Sequence, residues 1–381
     1  MKKIFLFSHV LACVLSLTVS ASAGESSIAK PEKGSALSTS KDCGECHKRI
    51  HQEWSGTMHA SSTPEKDPLV KAFYGYLAAE KFDVKKCDKC HVPFRALYPD
   101  EDNKDLSQEG VNCVFCHSVH GKADSGKQGI DYYKLDFLKS VTGPSQGDAK
   151  KAAHDAQFIG LFRHVDICSG CHQSGEADYY HAGESQAVCQ QCHMPTKQKE
   201  TVAEDGKVRD KVYRHLFEGG HSEDLLSMAA IISGEAKKSG GKTSVKLSLE
   251  NSALHPIPGG FPLRAIYVKL TGLDAKGKEV WSNYAKDPRK EDPKGYFALA
   301  FPEAEEVYAH YAKEIKPSGD TRIKATEAKE LAYEIPSDKV ESVRVRLFYR
   351  PLPETVLKKL RIDPGLAPET LMMEETIAVA K

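Results

Sequence analysis

No cysteine follows Cys192, so the C-terminal half of this 381-residue chain can be neither stapled by disulfides nor built on thiolate ligation. A charge surplus is missing too. The 53 basic side chains balance 53 acidic ones, which removes any whole-chain argument for nucleic acid or an anionic membrane surface as partner. Past the first 23 residues no apolar run reaches spanning length, and the sequence therefore predicts no stable membrane insertion once that segment is gone.

The opening segment is the exception. "MKK" is a short basic region, "IFLFSHVLACVLSLTVS" is largely apolar, and "ASA" before "GE" fits cleavage after Ala23. His9 and several serines weaken the alternative of a permanent anchor, and the stretch ahead of Cys13 is short and polar for a lipoprotein signal. Residues 1–23 thus read as a secretory signal, and residues 24–41, rich in Ser, Lys, Gly and Ala, as a flexible leader. The expected location is the periplasm or the cell surface.

Ten cysteines remain, and each lies in a pentapeptide of one kind: "CGECH" (Cys43, Cys46, His47), "CDKCH" (Cys87, Cys90, His91), "CVFCH" (Cys113, Cys116, His117), "CSGCH" (Cys168, Cys171, His172) and "CQQCH" (Cys189, Cys192, His193). A disulfide framework has no use for a histidine after every second cysteine. Zinc knuckles pair badly in an odd number, and a histidine next to its cysteine is poorly placed for the same tetrahedron. Covalent haem c accounts for both features: two thiols form thioethers with one porphyrin, and the adjacent imidazole reaches the iron. Five covalently attached haems are expected.

Each iron has a second axial position. Apart from His9 and the five motif histidines, ten histidines are available, eight of them between residues 51 and 221, the span of the motifs. The best placed distal ligands are His59, His120, His164, His215 and His221; His154, His181 and His255 come next, and His51 and His310 last. Met58 and Met194 are alternative sulfur ligands that would raise a haem potential.

The organisation divides near residue 235. Residues 42–235 hold the motifs between short elements, including predicted helices from Pro68 to Glu80 and over about 150–162, with little conventional core, so the porphyrins would supply the apolar mass. After the short helix in "SEDLLSMAAII" and a Gly/Lys-rich break, "SGEAKKSGGK", the pattern switches to strict alternation in "TSVKLSLEN", "AIYVKLTG" and "VESVRVRLFYR". The expected fold class is α+β multidomain: a mostly helical and irregular haem-packed domain, then an all-β domain over 242–381 read as an immunoglobulin-like sandwich.

The segments "CGECHKRIHQEWSGTMHAS", "GVNCVFCHSVHG", "CQQCHMP", "RHLFEGGHS", "NSALHPIPGGFPLRA" and "VRVRLFYRP" resemble the multihaem c-type cytochromes of the cytochrome c554 group. The resemblance implies closely spaced haem pairs, with His59, His120 and one or both of His215 and His221 as distal ligands. It departs from the group's four-haem pattern by a fifth motif, and the group's "GHxxPTG" segment is here "LHPIPGG", which retains His255. The function implied is electron relay between redox partner proteins. Two alternatives stand beside it: an oxidoreductase acting on a small nitrogen or sulfur compound at a five-coordinate haem, and a homo-oligomeric haem-bearing filament.

Overall fold

The computed structural model describes residues 39–99, 104–123, 127–137, 141–144, 154–172, 189–259, 263–302 and 317–380. The expected signal segment, the leader as far as residue 38, and His181 and His310 lie outside the described residues.

Short helices carry the N-terminal half. They are α1 (Ser40–Gly44), α2 (Lys48–Ser55), α3 (Pro68–Ala79), α4 (Lys85–His91), α5 (Pro93–Leu97), α6 (Lys104–Ser107), α7 (Cys113–His117), α8 (Asp166–Ser169), α9 (Gln190–His193) and α10 (Glu223–Met228). Three two-stranded ribbons lie among them: β1 (Val119–Lys122) with β2 (Tyr133–Leu135), β3 (Val141–Gly143) with β4 (Ala156–Phe158), and β5 (Thr196–Glu200) with β6 (Arg209–Tyr213). The anticipated α3 is there for the anticipated reason. The Asp67 carboxylate accepts from the Leu69 and Val70 N–H groups and Pro68 needs no donor at the first turn.

Three expectations for this half change. The leader ends early, because a reciprocal Thr39–Asp42 cap starts α1 at Ser40, which is buried. The helix expected over 150–162 is replaced, among its described residues, by β4 and a 3₁₀ turn at Gly160–Arg163. Here parallel pairing with β3 overrides local helix preference. A conventional core also exists, made by Leu97, Phe115, Val119, Ile130, Tyr132, Tyr133 and Leu135, with Cys116 and Cys171 packed on it.

The C-terminal half is one nine-stranded sheet in the order β12 (Gly319–Asp320), β11 (Tyr296–Ala300), β9 (Ala265–Leu273), β14 (Ser342–Arg350), β15 (Thr370–Ala380), β7 (Ala230–Ser239), β8 (Lys242–Asn251) and β13 (Ala328–Ile335), with β10 (Glu279–Ser282) added on β9. Two short helices, α11 (Pro288–Glu291) and α12 (Glu354–Leu360), sit outside it. The alternation seen in sequence is the burial pattern of β8 and β14, whereas β9 is buried on both faces; Val245, Leu247 and Leu249 of β8 share a single core with Val343, Val345 and Leu347 of β14 and Ile266, Val268 and Leu270 of β9. Each such side chain contributes about 1.5–3 kcal/mol by leaving water.

The two expected layers are present, but they are hydrogen-bonded into one curled sheet through a short parallel seam, Val379 beside Ala236 and Ala380 beside Lys237. The Gly/Lys-rich break is a hairpin, so the β domain starts at Ala230 and not at 242. Gly240 (φ 56°) and Gly241 (φ 80°) both adopt the left-handed conformation that a two-residue turn between β7 and β8 requires. The halves are docked through Phe73 of α3, which packs with Leu263, Leu352, Val356, Leu357 and Ile362.

Candidate haem sites

Each motif winds into about one helical turn, and residues spaced i, i+3 and i+4 share a helix face. The His47, His172 and His193 amides donate to the carbonyls of Cys43, Cys168 and Cys189, closing the turn that puts two thiols and one imidazole on one side. In the third motif the Asn112 side chain caps α7 by accepting from the Phe115 N–H at 2.8 Å. None of the ten motif cysteines is paired in a disulfide.

The motifs approach one another in pairs. The Cys43 and Cys113 side chains lie beside each other, as do those of Cys90 and Cys171, so the first motif abuts the third and the second abuts the fourth. Small residues permit some of these approaches. A Cβ on Gly170, inside "CSGCH", would stand 2.5 Å from the Tyr133 ring. One on Gly110, at φ 71°, would stand 2.3 Å from the His59 carbonyl oxygen.

The imidazoles are arranged in facing pairs. Ring centroids lie 6.2 Å apart for His47 and His154, 6.1 Å for His59 and His172, 6.4 Å for His117 and His215, and 6.3 Å for His193 and His255. An imidazole nitrogen sits about 2 Å from a metal it ligates and the ring centre roughly 1 Å farther, so two imidazoles on opposite sides of one metal have centroids roughly 6 Å apart. The residues therefore fit an iron between the members of each pair.

Backbone groups hold the motif rings. Nδ1 of His47 donates to the Val202 carbonyl at 2.6 Å, that of His117 to Thr142 at 2.6 Å and that of His193 to Glu218 at 2.5 Å. Occupying Nδ1 this way leaves Nε2 as the ligating nitrogen and fixes the ring plane. Burial pushes His59 down to about 3 and His215 down to about 4, with His172 and His117 respectively adding to the effect, and it lowers His91 and His117 as well. A neutral ring is the form a metal requires.

Of the distal candidates, His59 and His215 lie opposite motif histidines, whereas His120, His164 and His221 do not. His120 lies on β1 with a buried Nε2 that has no hydrogen-bond partner. His164 is a surface residue paired with Asp166 at 3.1 Å. His221 is exposed, with Arg264 and Asp67 as its charged neighbours. His154 and His255, ranked lower on spacing, lie opposite His47 and His193, because tertiary folding and not sequence spacing decides which ring crosses to which motif. His51 lies beside Trp54 at 5.8 Å. Among the described residues no imidazole faces His91, whose ring neighbour is Tyr74, edge-on at 6.3 Å.

Two further residues shape the sites without having stood out in sequence. The Phe217 ring lies 4.5 Å from His59 and 5.8 Å from His215, touching members of two different pairs, with its backbone held at φ 44°. Asn251, buried at the end of β8, donates to the carbonyls of His255, Ile323 and Lys324 at 2.8, 2.9 and 2.9 Å, and so fixes the loop that carries His255 across to the N-terminal half.

Comparison with known proteins agrees with this geometry. Residues 42–118 match the family "Cytochrome c554 and c-prime", a span that contains the first three motifs. The penta-heme cytochrome c552 from Thermochromatium tepidum shares the fold with a TM-score of 0.74 at 27% identity, over 90% of this chain and 99% of that chain. The PapD-like domain 7 of human CEP192 overlaps 40% of this chain and 85% of that chain at 12% identity, with a TM-score of only 0.17, and supports no conclusion. No curated protein matches. No helix among the described residues is long and apolar enough to cross a membrane. The CxxCH turns, the facing imidazoles and these two matches together support a multihaem c-type cytochrome, an electron-transfer haem protein.

Proposed function

We propose that the chain is an exported pentahaem cytochrome that relays electrons between respiratory redox partners through closely spaced, mainly bis-histidine haems. The observation that carries this reading is the set of four facing imidazole pairs, each joining a motif histidine to one distant in the chain. Haem c supplies reversible one-electron exchange at iron. The protein's own contribution is to hold both axial nitrogens in place. His47, His172, His117 and His193 would hold one face and His154, His59, His215 and His255 the other, leaving no position for substrate. Carbonyls at Val202, Thr142 and Glu218 keep three of those rings in one tautomer, so ligation need not rearrange during turnover. Pairwise contact of the motifs supports short distances between neighbouring haems.

The second reading concerns His91. Lacking a facing imidazole among the described residues, its site would suit a five-coordinate iron open to a small nitrogen or sulfur compound. An electron paramagnetic resonance spectrum of the oxidised holoprotein separates the two. The relay predicts low-spin signals that ignore added nitrite, hydroxylamine or sulfite. A high-spin fraction near one fifth of the iron that responds to one of them establishes the second, since five motifs make one site a fifth. High-spin iron in the majority would refute the relay.

A further inference from the structure

Glu53 is a carboxylate almost sealed from water, with 4% of its side chain exposed. It stands on α2, the helix that begins directly after His47, yet its contacts lead elsewhere. Oε2 accepts from the backbone N–H of His215 at 2.9 Å. Oε1 accepts from Arg214 Nε at 2.8 Å and from Arg49 Nη1 at 2.6 Å. Arg49 is anchored in turn by the Thr201 carbonyl at 3.2 Å and by Glu200 at 3.0 Å. The next residue, Trp54, is also buried and donates from Nε1 to the Val111 carbonyl at 2.9 Å, which pins α2 to the segment leading into α7 and His117.

One acidic side chain thus grips the amide of the residue whose ring faces His117 at 6.4 Å. Surface ion pairs of this size contribute little and need no function. A buried carboxylate flanked by two guanidiniums is different, because it fixes geometry and leaves a definite charge close to whatever the imidazole binds. The two arginines flanking Glu53 carry one more positive charge than it neutralises, and Glu200 balances the remainder at the outer end of Arg49.

We propose that Glu53 is the positioning residue for His215 and sets the reduction potential of the haem held between His117 and His215. The proposal rests on the bis-histidine reading above and deepens it. A negative charge near the iron favours the oxidised state, so neutralising Glu53 makes that haem easier to reduce and leaves the others alone. Neutralising Arg214 does the opposite.

The test uses the fully loaded protein in spectroelectrochemical titration, with electron paramagnetic resonance to follow each haem. His215→Ala first identifies the haem by the low-spin signal it removes. Glu53→Gln should keep the haem count by intact mass, shift the g-values of that same signal, and move its midpoint potential upward. Arg214→Gln leaves Glu53 bonded to Arg49 and to the His215 amide, and should move the same midpoint downward. If Glu53→Gln does not mature, the downward shift in Arg214→Gln carries the test. An unchanged midpoint for that haem, or an equal shift of all haems, overturns the role of Glu53. A His215→Ala protein with an unaltered low-spin spectrum overturns the ligation itself and the proposal with it.

Discussion

His255 is the ring whose removal says most, because it belongs to the β domain while the ring it faces, His193, belongs to the haem half. Its loop is ordered by Asn251, whose three donations go to backbone carbonyls, one of them the carbonyl of His255 itself. His255→Ala therefore removes an imidazole and no part of that scaffold. The β domain should unfold in urea within about 1 kcal/mol of the parent. Asn251→Ala, in contrast, leaves buried carbonyls short of donors and should cost about 1–3 kcal/mol. Trp281 on β10 reports that transition, and Trp54 is the only other tryptophan. At the iron the order reverses. His255→Ala should convert one fifth of the iron, one motif in five, from low spin to high spin, and added imidazole should restore it. A variant that keeps the parent low-spin intensity, or that loses stability as Asn251→Ala does, would refute the assignment of His255 as ligand.

Phe217→Leu should disturb two haems at once, because its ring touches His59 and His215; broadened low-spin signals for both are expected, and a change confined to one would show that the ring does not bridge them. Gly170→Ala drives a methyl to within 2.5 Å of the Tyr133 ring, so holoprotein should lack the fourth haem by intact mass, while Gly170→Ala combined with Tyr133→Ala should recover it. Burial pushes Tyr284 up to about 12, with Glu369 adding to it, and raises Tyr267 and Tyr333 as well. A folded value above the unfolded one gives stability that is complete below about pH 10 and lost as pH rises through the folded value. Urea unfolding should therefore show the β domain weakening from pH 10 to 12, and Tyr284→Phe should flatten that slope; an identical slope in the variant would contradict the burial argument.

The haem-c motifs are legible because CxxCH is local: every residue of the motif lies within about one turn of chain. The strands β8 and β14 are readable because Val245, Leu247 and Leu249, and Val343, Val345 and Leu347, alternate with more exposed positions, and β9 is readable from Ile266, Val268 and Leu270 although its other face is buried too. β7 is hard to see in sequence because only one of its buried positions, Ala230, Ile232 and Ala236, carries a large side chain, and Lys237 and Lys238 give it the look of a linker. Which imidazoles face the motif histidines is only partly legible for a different reason. Whether His154 or His164 crosses to a motif depends on which loop the finished fold carries over it, and His255 reaches His193 only through a domain docked by Phe73. Glu53 left no trace either, since its partners lie more than 160 residues away apart from Arg49.

The loop that delivers His255 has a bearing on biogenesis. A chain threaded from its N-terminus presents "CQQCH" to the attachment machinery before residue 255 has emerged, and the loop is held only when Asn251 meets Ile323 and Lys324 from much later in the sequence. On the proposed ligation, the fifth haem would be tethered early and capped late, and completion of the C-terminal sheet is the step that would bring His255 to the face opposite His193.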